Sequence, residues 1–341
     1  MKRRQIILLL LLGMGITKKG FTQQPGTYRH LLRGYNDNDI INLPGEGTDR
    51  GYSNGTRLDY FLVNNKPTLF FLNRLMPKAG DSSINTFGFS LMQVIYTPKN
   101  ILKRIPDRDD FAYAGGLFAT HSLSSANRVK KYSWQTEVLL GVMGPPSLAK
   151  DAQLQAHKIV DIVRPRGWDY QLKTDLLLNV SVAGEKELMR IGNVMEGIGG
   201  AQAFAGTAMN GLSVYSLIRF GKMTPYFNGY ISQFATPRGG KKSRWQVYGI
   251  VRPAVDCMLS YALIDGGIFN KGNEPVPVPD PTTDEPVKEA RVRNRLVGKL
   301  GYGLVVSGGR IGISFTQTTM TPVVKGTGRQ AIGNISLHFA W

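Results

Sequence analysis

Period-two patterning along the chain, a basic-then-apolar amino terminus and an aromatic carboxyl terminus predict an all-β fold. The expected form is a closed antiparallel up-and-down transmembrane β-barrel of about 12 strands. The carboxyl-terminal segment carries the plainest signal. In Asn334-Ile335-Ser336-Leu337-His338-Phe339-Ala340-Trp341, the odd positions are large and apolar and the even ones polar or small. That is a strand with one greasy face. A closing strand of a soluble sandwich shares the alternation but rarely ends a chain. An outer-membrane barrel does end this way, turning Ile335, Leu337 and Phe339 to lipid and the other face to the lumen.

At the other end, Lys2, Arg3 and Arg4 precede an apolar run from Ile6 to Leu12, followed by small or polar residues to Thr22. A basic region before a short apolar one reads as a secretory signal peptide over residues 1–22, leaving 23–341 as the barrel. The run is too short to span a bilayer as a helix, and no later stretch is longer.

Composition fits export. Cys257 is the single cysteine, which excludes an intramolecular disulfide and a cysteine-based zinc site. Forty glycines and plentiful aromatic residues suit tight turns and interface girdles. The net charge of +18 falls to +13 when the five basic side chains of residues 1–22 are removed. A basic surface suggests a polyanion; on an exported chain the phosphorylated glycolipid of the outer leaflet is favoured over nucleic acid.

Alternation recurs at Leu58, Tyr60 and Leu62; at Leu176, Leu178, Val180 and Val182; at Trp245, Val247 and Val251; and at Ile311, Ile313 and Phe315. Gly308-Gly309 marks a tight turn. The acidic, proline-rich stretch Glu274 to Pro286 cannot be a strand and is a solvent loop. Counting back from Trp341 with both termini in the periplasm, periplasmic turns short and outer loops long, five loops fall outside. They are 40–54, 98–111, 145–173, 270–290 and 319–329. Residues 190–245 are the least regular part of the count.

Three stretches are chemically odd for a passive barrel, and the count brings all three to the outer rim. Asn36-Asp37-Asn38-Asp39 precedes Thr48-Asp49-Arg50-Gly51-Tyr52-Ser53-Asn54-Gly55. Ile95-Tyr96-Thr97-Pro98 precedes Lys103 and Asp107-Arg108-Asp109-Asp110. Gly141-Val142-Met143-Gly144-Pro145 leads to a helix-like run through Gln153 and His157, and then to Gly167-Trp168-Asp169-Tyr170-Gln171.

In order and spacing these stretches resemble the outer-membrane lipid A 3′-O-deacylase family, from about residue 34 to Trp341 and most densely over 34–175. No single motif is specific; their ordered conjunction is. The resemblance implies a carboxylic ester hydrolase that removes the 3′-linked acyl or acyloxyacyl chain of lipid A with calcium. It places the catalytic histidine on His157 and the Asn-Asp pair on Asn38-Asp39, although Asn36-Asp37 repeats the pattern one step earlier. The hydroxyl residue falls on Ser53, the basic loop residue on Lys103 and the helical glutamine on Gln153. The family's acid a little under two turns beyond the histidine would land on Val163, which has no carboxyl group; Asp161 is the nearby candidate to replace it.

The residue types allow the same chemistry. Gln153, His157 and Asp161 are spaced to share one face of a short helix in an extracellular loop. A histidine can take a proton from water near neutral pH. Asn38 and Asp39 offer hard oxygens that suit a calcium ion. Lys103 can hold a glycolipid phosphate or a developing oxyanion. Each also has an ordinary reading. A loop histidine is usually polar surface, Asn-Asp pairs make Asx turns, and Ser53-Asn54-Gly55 is a turn signal. The acidic run 107–110 is a solvated loop before it is a second cation site. His121 and His338 sit on strand patterns, as lumen or interface residues.

The expected protein is therefore a monomeric outer-membrane enzyme with its site facing the exterior, lipopolysaccharide as substrate and outer-membrane lipids around it. Trp341 is its signal to the barrel-assembly machinery. The rivals are an outer-membrane phospholipase-type esterase and a structural or transport barrel without activity.

Overall fold

The computed structural model describes residues 28–43, 50–66, 70–236, 245–270 and 291–341. The expected signal segment and most of the proline-rich loop lie outside these residues. Among them, twelve antiparallel strands close into one barrel, each paired with its neighbour in sequence and the first with the last. The strands are β1 (His30–Asn38), β2 (Gly51–Val63), β3 (Ser83–Thr97), β4 (Ala114–Asn127), β5 (Tyr132–Met143), β6 (Asp175–Ile191), β7 (Met195–Gly206), β8 (Met209–Lys222), β9 (Trp245–Tyr261), β10 (Leu296–Gly308), β11 (Ile311–Met320) and β12 (Gln330–Ala340). Three short helices interrupt the connections: α1 (Phe71–Leu75), α2 (Ala149–Ile159) and α3 (Ala262–Asp265). Closure leaves no free edge, so every strand backbone finds a partner. The register β1–β12 runs from Leu31 opposite Ala340 to Asn38 opposite Gly333.

Alternation decides what each side chain meets. Leu176, Leu178, Val247, Ile311, Ile313 and Leu337 lie exposed on the outer wall, where the bilayer replaces water. Their neighbours turn inward, and the lumen is filled by paired charges rather than apolar packing. Fully buried Asp59 accepts hydrogen bonds from Arg33 Nε (2.7 Å), Arg57 Nε (2.6 Å) and Ser90 Oγ (2.5 Å). Arg57 Nη2 also reaches Glu137 (2.6 Å). Glu185 gathers Ser133, Gln135, Tyr215 and Tyr226. A buried charge is tolerable only when its oxygens are paired or hydrogen-bonded: Asp59 has two arginines, and Glu185 has four neutral donors.

The end that carries the termini is girdled by aromatic rings. Trp341 stacks on His30 at 5.4 Å, with Tyr60 and Phe339 beside it. Short turns are found there at 128–131, 192–194 and 309–310, but two connections overturn the expectation that all are short. The connection from β2 to β3, described over 64–66 and 70–82, contains α1. Residues 223–236 fold back into the lumen, with 3-10 turns at Tyr226–Asn228 and Ile231–Gln233. Arg33 Nη1 donates to Tyr230 Oη (2.7 Å), Tyr248 Oη donates to the Gln233 carbonyl (3.0 Å), and Phe234 stacks flat on His338 at 4.0 Å. This plug explains why 190–245 reads irregularly: its tail is lumen filling, not wall.

At the opposite end, Tyr96, Phe111, Phe118, Leu172, Leu263, Ile264, Val297 and Val323 form an apolar cap. Between plug and cap lies a chamber of about 660 Å³ whose wall includes Arg33, Asp37, Arg219, Tyr261 and His338.

Candidate active site

Odd-numbered strands from β1 to β11 end, and even-numbered strands begin, at the end away from the termini. All six candidate residues sit there. On β1 the two Asn-Asp pairs part company. Asp37 points into the chamber and accepts from Tyr52 Oη (2.9 Å) and Asn334 Nδ2 (2.5 Å). Asn38, opposite Asn54, is the last residue of the strand, and its Oδ1 accepts the Ile40 N–H at 2.7 Å. That is an Asx turn, the ordinary use of such a pair. Asp39 follows, 3% exposed, its N–H donated to the Ser53 carbonyl (3.3 Å).

Ser53 is placed by a β-bulge. Tyr52 pairs with Tyr96 and Asn54 with Ile95, so Ser53 is the extra residue between them. A bulge re-aims one side chain. Here it buries the Ser53 hydroxyl 2.5 Å from Thr97 Oγ1. β3 itself alternates without a break: Tyr96 turns into the chamber, and Ile95 turns the other way to pack with Ala149, Tyr113 and Trp168.

Helix α2 therefore lies against the outer side of the wall, not in the lumen. Gly115, the register partner of Ile95, lets it approach; a Cβ there would overlap Ala149 and Ser147. Gly144 (φ +81°) and two prolines turn the chain off β5, and Gln93 Nε2 holds the Ser147 carbonyl at 2.7 Å. Ala149, Gln153 and His157 form the buried face, as their spacing requires. Trp168 Nε1 donates to Gln153 Oε1 at 2.8 Å, pinning the returning chain to the helix.

His157 is 5% exposed, and its Nδ1 lies 2.6 Å from the main-chain carbonyl oxygen of Val163. A carbonyl only accepts, so Nδ1 carries the proton, and in the neutral ring Nε2 holds the lone pair. This corrects one expectation. Asp161 does not share the helix face: α2 ends at Ile159, and Asp161 is exposed in a left-handed turn (φ +55°). That turn brings the backbone of Val163, rather than a carboxyl group, to the ring.

Lys103 is on the neighbouring loop, its Nζ 3.0 Å from Asp107 Oδ1. A Cβ on Gly167 would crowd the Tyr113 ring and the carbonyls of Lys103 and Arg104, and the Arg166 N–H donates to the Ile101 carbonyl (2.9 Å). Asp110 accepts the N–H groups of Lys99 and Phe111, so the acidic run is used in turns and pairing. Arg291 closes this loop from the far side, donating to the Ile264 carbonyl at 2.8 Å; burial pulls its pKa down to about 10, so it stays charged at neutral pH. A cavity of about 490 Å³ lies between Arg50, Lys99, Lys103 and Asp107.

Two groups thus meet at Ile95: Asn38, Asp39, Ser53 and Thr97 at the ends of β1, β2 and β3, and Gln153, His157 and Trp168 on α2 and the chain returning from it. Lys103 reaches them through Gly167. Sequence reasoning missed Thr97 as the partner of Ser53, and missed the Val163 carbonyl. The first had a signal in Tyr96-Thr97-Pro98; the second, a main-chain atom, had none. Asp107, four residues past Lys103, was readable as its partner.

The donor set fits a hard divalent cation in type: consecutive residues offer the anionic oxygens of Asp39 and the neutral amide oxygen of Asn38, which already accepts the Ile40 N–H. They supply too few oxygens alone, so water, main-chain carbonyls or substrate would complete the shell. Among the described residues no group of three His, Cys, Asp or Glu side chains could hold a metal.

A family model described as outer membrane protein LpxR matches residues 6–341. Among solved structures, LpxR from Salmonella typhimurium superposes with a TM-score of 0.69 at 16% identity, covering 91% of this chain and all of that one. The β domain of the Bordetella autotransporter BrkA aligns over 92% of this chain and 99% of its own, at 10% identity and a TM-score of 0.43. No curated protein sequence matches.

Proposed function

The chain belongs to the LpxR family of outer-membrane proteins, and from that premise we propose that it is a lipid A deacylase acting on the ester-linked acyl or acyloxyacyl chain at the 3′ position. One observation carries the reading. A histidine whose Nδ1 is held by a carbonyl sits on a helix lodged against the outer wall at Ile95, on the strand whose Thr97 meets the buried Ser53. A water-soluble substrate would be met in a lumen or cleft. A site on the outside of the wall is where the ester of a membrane lipid arrives without leaving its leaflet. The site faces the cell exterior, since the opposite end carries both termini.

His157 Nε2 takes a proton from water as the water oxygen bonds to the ester carbonyl carbon. The carbonyl electron pair moves onto oxygen, giving a tetrahedral oxyanion. Collapse breaks the bond to the sugar oxygen, which receives the proton from His157, leaving a fatty acid and a free hydroxyl. Gln153 and Trp168 hold the helix that aims the ring. Lys103, sharing its charge with Asp107, supplies positive potential for a glycolipid phosphate or for the oxyanion. Calcium held by Asn38 and Asp39 would polarise the carbonyl.

Support against the transport rival comes from the lumen, which the plug residues Tyr230, Gln233 and Phe234 enter near one end and an apolar cluster lines at the other. The phospholipase rival shares the site and differs in substrate. Mass spectrometry of lipid A from cells with and without the protein tests the reading: loss of one 3′ acyl unit is expected. Unchanged lipid A with altered phospholipid would favour the rival. The expected monomer and the role of Trp341 in assembly remain part of this proposal.

A further inference from the structure

Ser90 and Thr120 face the lumen, where both meet Arg57. Their strand neighbours Phe87, Phe89, His121, Leu123 and Ser125 therefore face outward. Part of the long connection 64–82 lies over this outer face. Met76 packs with Phe87 and Leu123, and Leu72 packs beside them. Asn73 Oδ1 accepts from His121 Nε2 at 2.6 Å, and Phe70 stands edge-on to the same ring at 5.2 Å.

The depth of this segment is readable from the register. Ser125 pairs with Trp134, an outward aromatic in the row nearest the termini. The Ala79 N–H donates to Ser125 Oγ (2.9 Å), and Asn127 Nδ2 donates to the Ala79 carbonyl (2.7 Å), so the segment is fastened at that row. His121 pairs with Phe89, two outward rows deeper, about 13 Å along the strand. Phe89 and its outward neighbour Leu91 are exposed on the wall. Phe70 and Phe71 thus start inside the apolar band, and the chain climbs back to its edge at Ala79.

Phe71 is 62% exposed and Leu75 is 74% exposed. Water is not at this depth. Arg74 and Lys78 are exposed on the same segment, with stems long enough to carry their charges to the headgroup layer. The segment also meets the demand that lipid makes of a backbone. Asn73 and Met76 donate to Phe70 and Leu72, and Ala79 is tied at both N–H and C=O.

We propose that residues 70–79 are a membrane-inserted strap whose outer face is solvated by phospholipid acyl chains of the leaflet at the terminus end. Arg74 and Lys78 reach the phosphates of that leaflet. The partner is argued by continuity: the strap's exposed face prolongs the lipid-facing rows of β3, β4 and β5. It also shields His121 and Asn73, a polar pair that bare hydrocarbon would leave costly. The strap and the candidate active site occupy opposite ends of the barrel, so the proposal is independent of the catalytic reading.

The test places a fluorophore on Phe71→Cys or Leu75→Cys in a Cys257→Ser background, with Val129→Cys in an exposed terminus-end turn as comparator. The labelled proteins are reconstituted in phosphatidylcholine–phosphatidylglycerol vesicles with or without brominated acyl chains. The strap positions should be quenched several-fold more by bromolipid than Val129 and be protected from iodide. Iodide quenching equal to that at Val129, with no bromolipid effect, overturns the proposal. The unaltered chain gives a second measurement that survives any failure of the variants to assemble. With a phospholipid carrying a photoactivatable diazirine acyl chain, adducts should map to 70–78 as well as to Leu91 and Leu140. Adducts on the wall with none on 70–78 overturn it equally.

Discussion

His157 Nδ1 lies 2.6 Å from the carbonyl oxygen of Val163, so the ring is oriented by the main chain six residues further on. This assigns the proton to Nδ1 and the basic lone pair to Nε2, and it ties the histidine's aim to the turn that ends α2. His157→Ala removes the base while leaving the helix's other contacts in place. Deacylation should fall on the order of a hundredfold or more. Unheated gel mobility should still report a closed barrel. Near-normal lipid A deacylation by the assembled variant would refute the assignment.

Asp161 gives the contrasting case. It is exposed, beyond the helix, and its side chain is not the partner of the ring. Asp161→Asn should leave the rate within about twofold, as a surface change usually does. A large loss, with a shifted pH profile, would return the carboxyl group to the mechanism.

Asp39→Asn keeps shape and removes charge from the proposed cation ligand. The calcium concentration for half-maximal activity should rise roughly tenfold or more, and chelators should abolish wild-type activity. If activity ignores both chelator and substitution, the oxyanion is held by Lys103 and backbone amides. Lys103→Met then separates its two roles: a raised KM marks phosphate binding, a lowered kcat marks the oxyanion.

Trp168→Phe keeps the ring packed against Tyr113 and Ile95 but removes the N–H donated to Gln153. The cost is about 1 kcal/mol, the worth of one hydrogen bond. It should appear as faster proteolysis within 149–170, and as lower activity that Gln153→Ala does not lower further.

Asp59→Ala leaves Arg33 and Arg57 buried without their shared carboxylate. Breaking a buried ion pair on one side costs about 3–5 kcal/mol. The urea midpoint of the barrel in micelles should drop accordingly, while an assembled fraction keeps its catalytic rate. An unchanged midpoint would mean that the lumenal network contributes no net stability.

Much of this was legible in the chain. Alternation at Leu176-Leu178-Val180 and at Ile335-Leu337-Phe339 specified a wall with one lipid face, because a strand's side chains alternate whatever it pairs with. Counting turns from Trp341 brought residues 38, 39, 53, 103, 153 and 157 to one end, since an up-and-down barrel leaves each strand only two places to finish. The spacing of Gln153 and His157 gave them a common helix face for the same local reason. Other features depended on contacts between distant segments. Nothing local marks 223–236 as a plug: its side chains are polar or aromatic like any loop's, and only Arg33, Gln246 and His338 on other strands make them interior. Nor does local pattern show that 70–79 lies on the outer wall, because its anchors are Leu123 and Ser125. The bulge at Ser53 and the Val163 carbonyl at His157 are backbone events, invisible to residue type. Period and hydrophobicity set the barrel; the tertiary structure alone decided where its irregular segments and main-chain atoms came to rest.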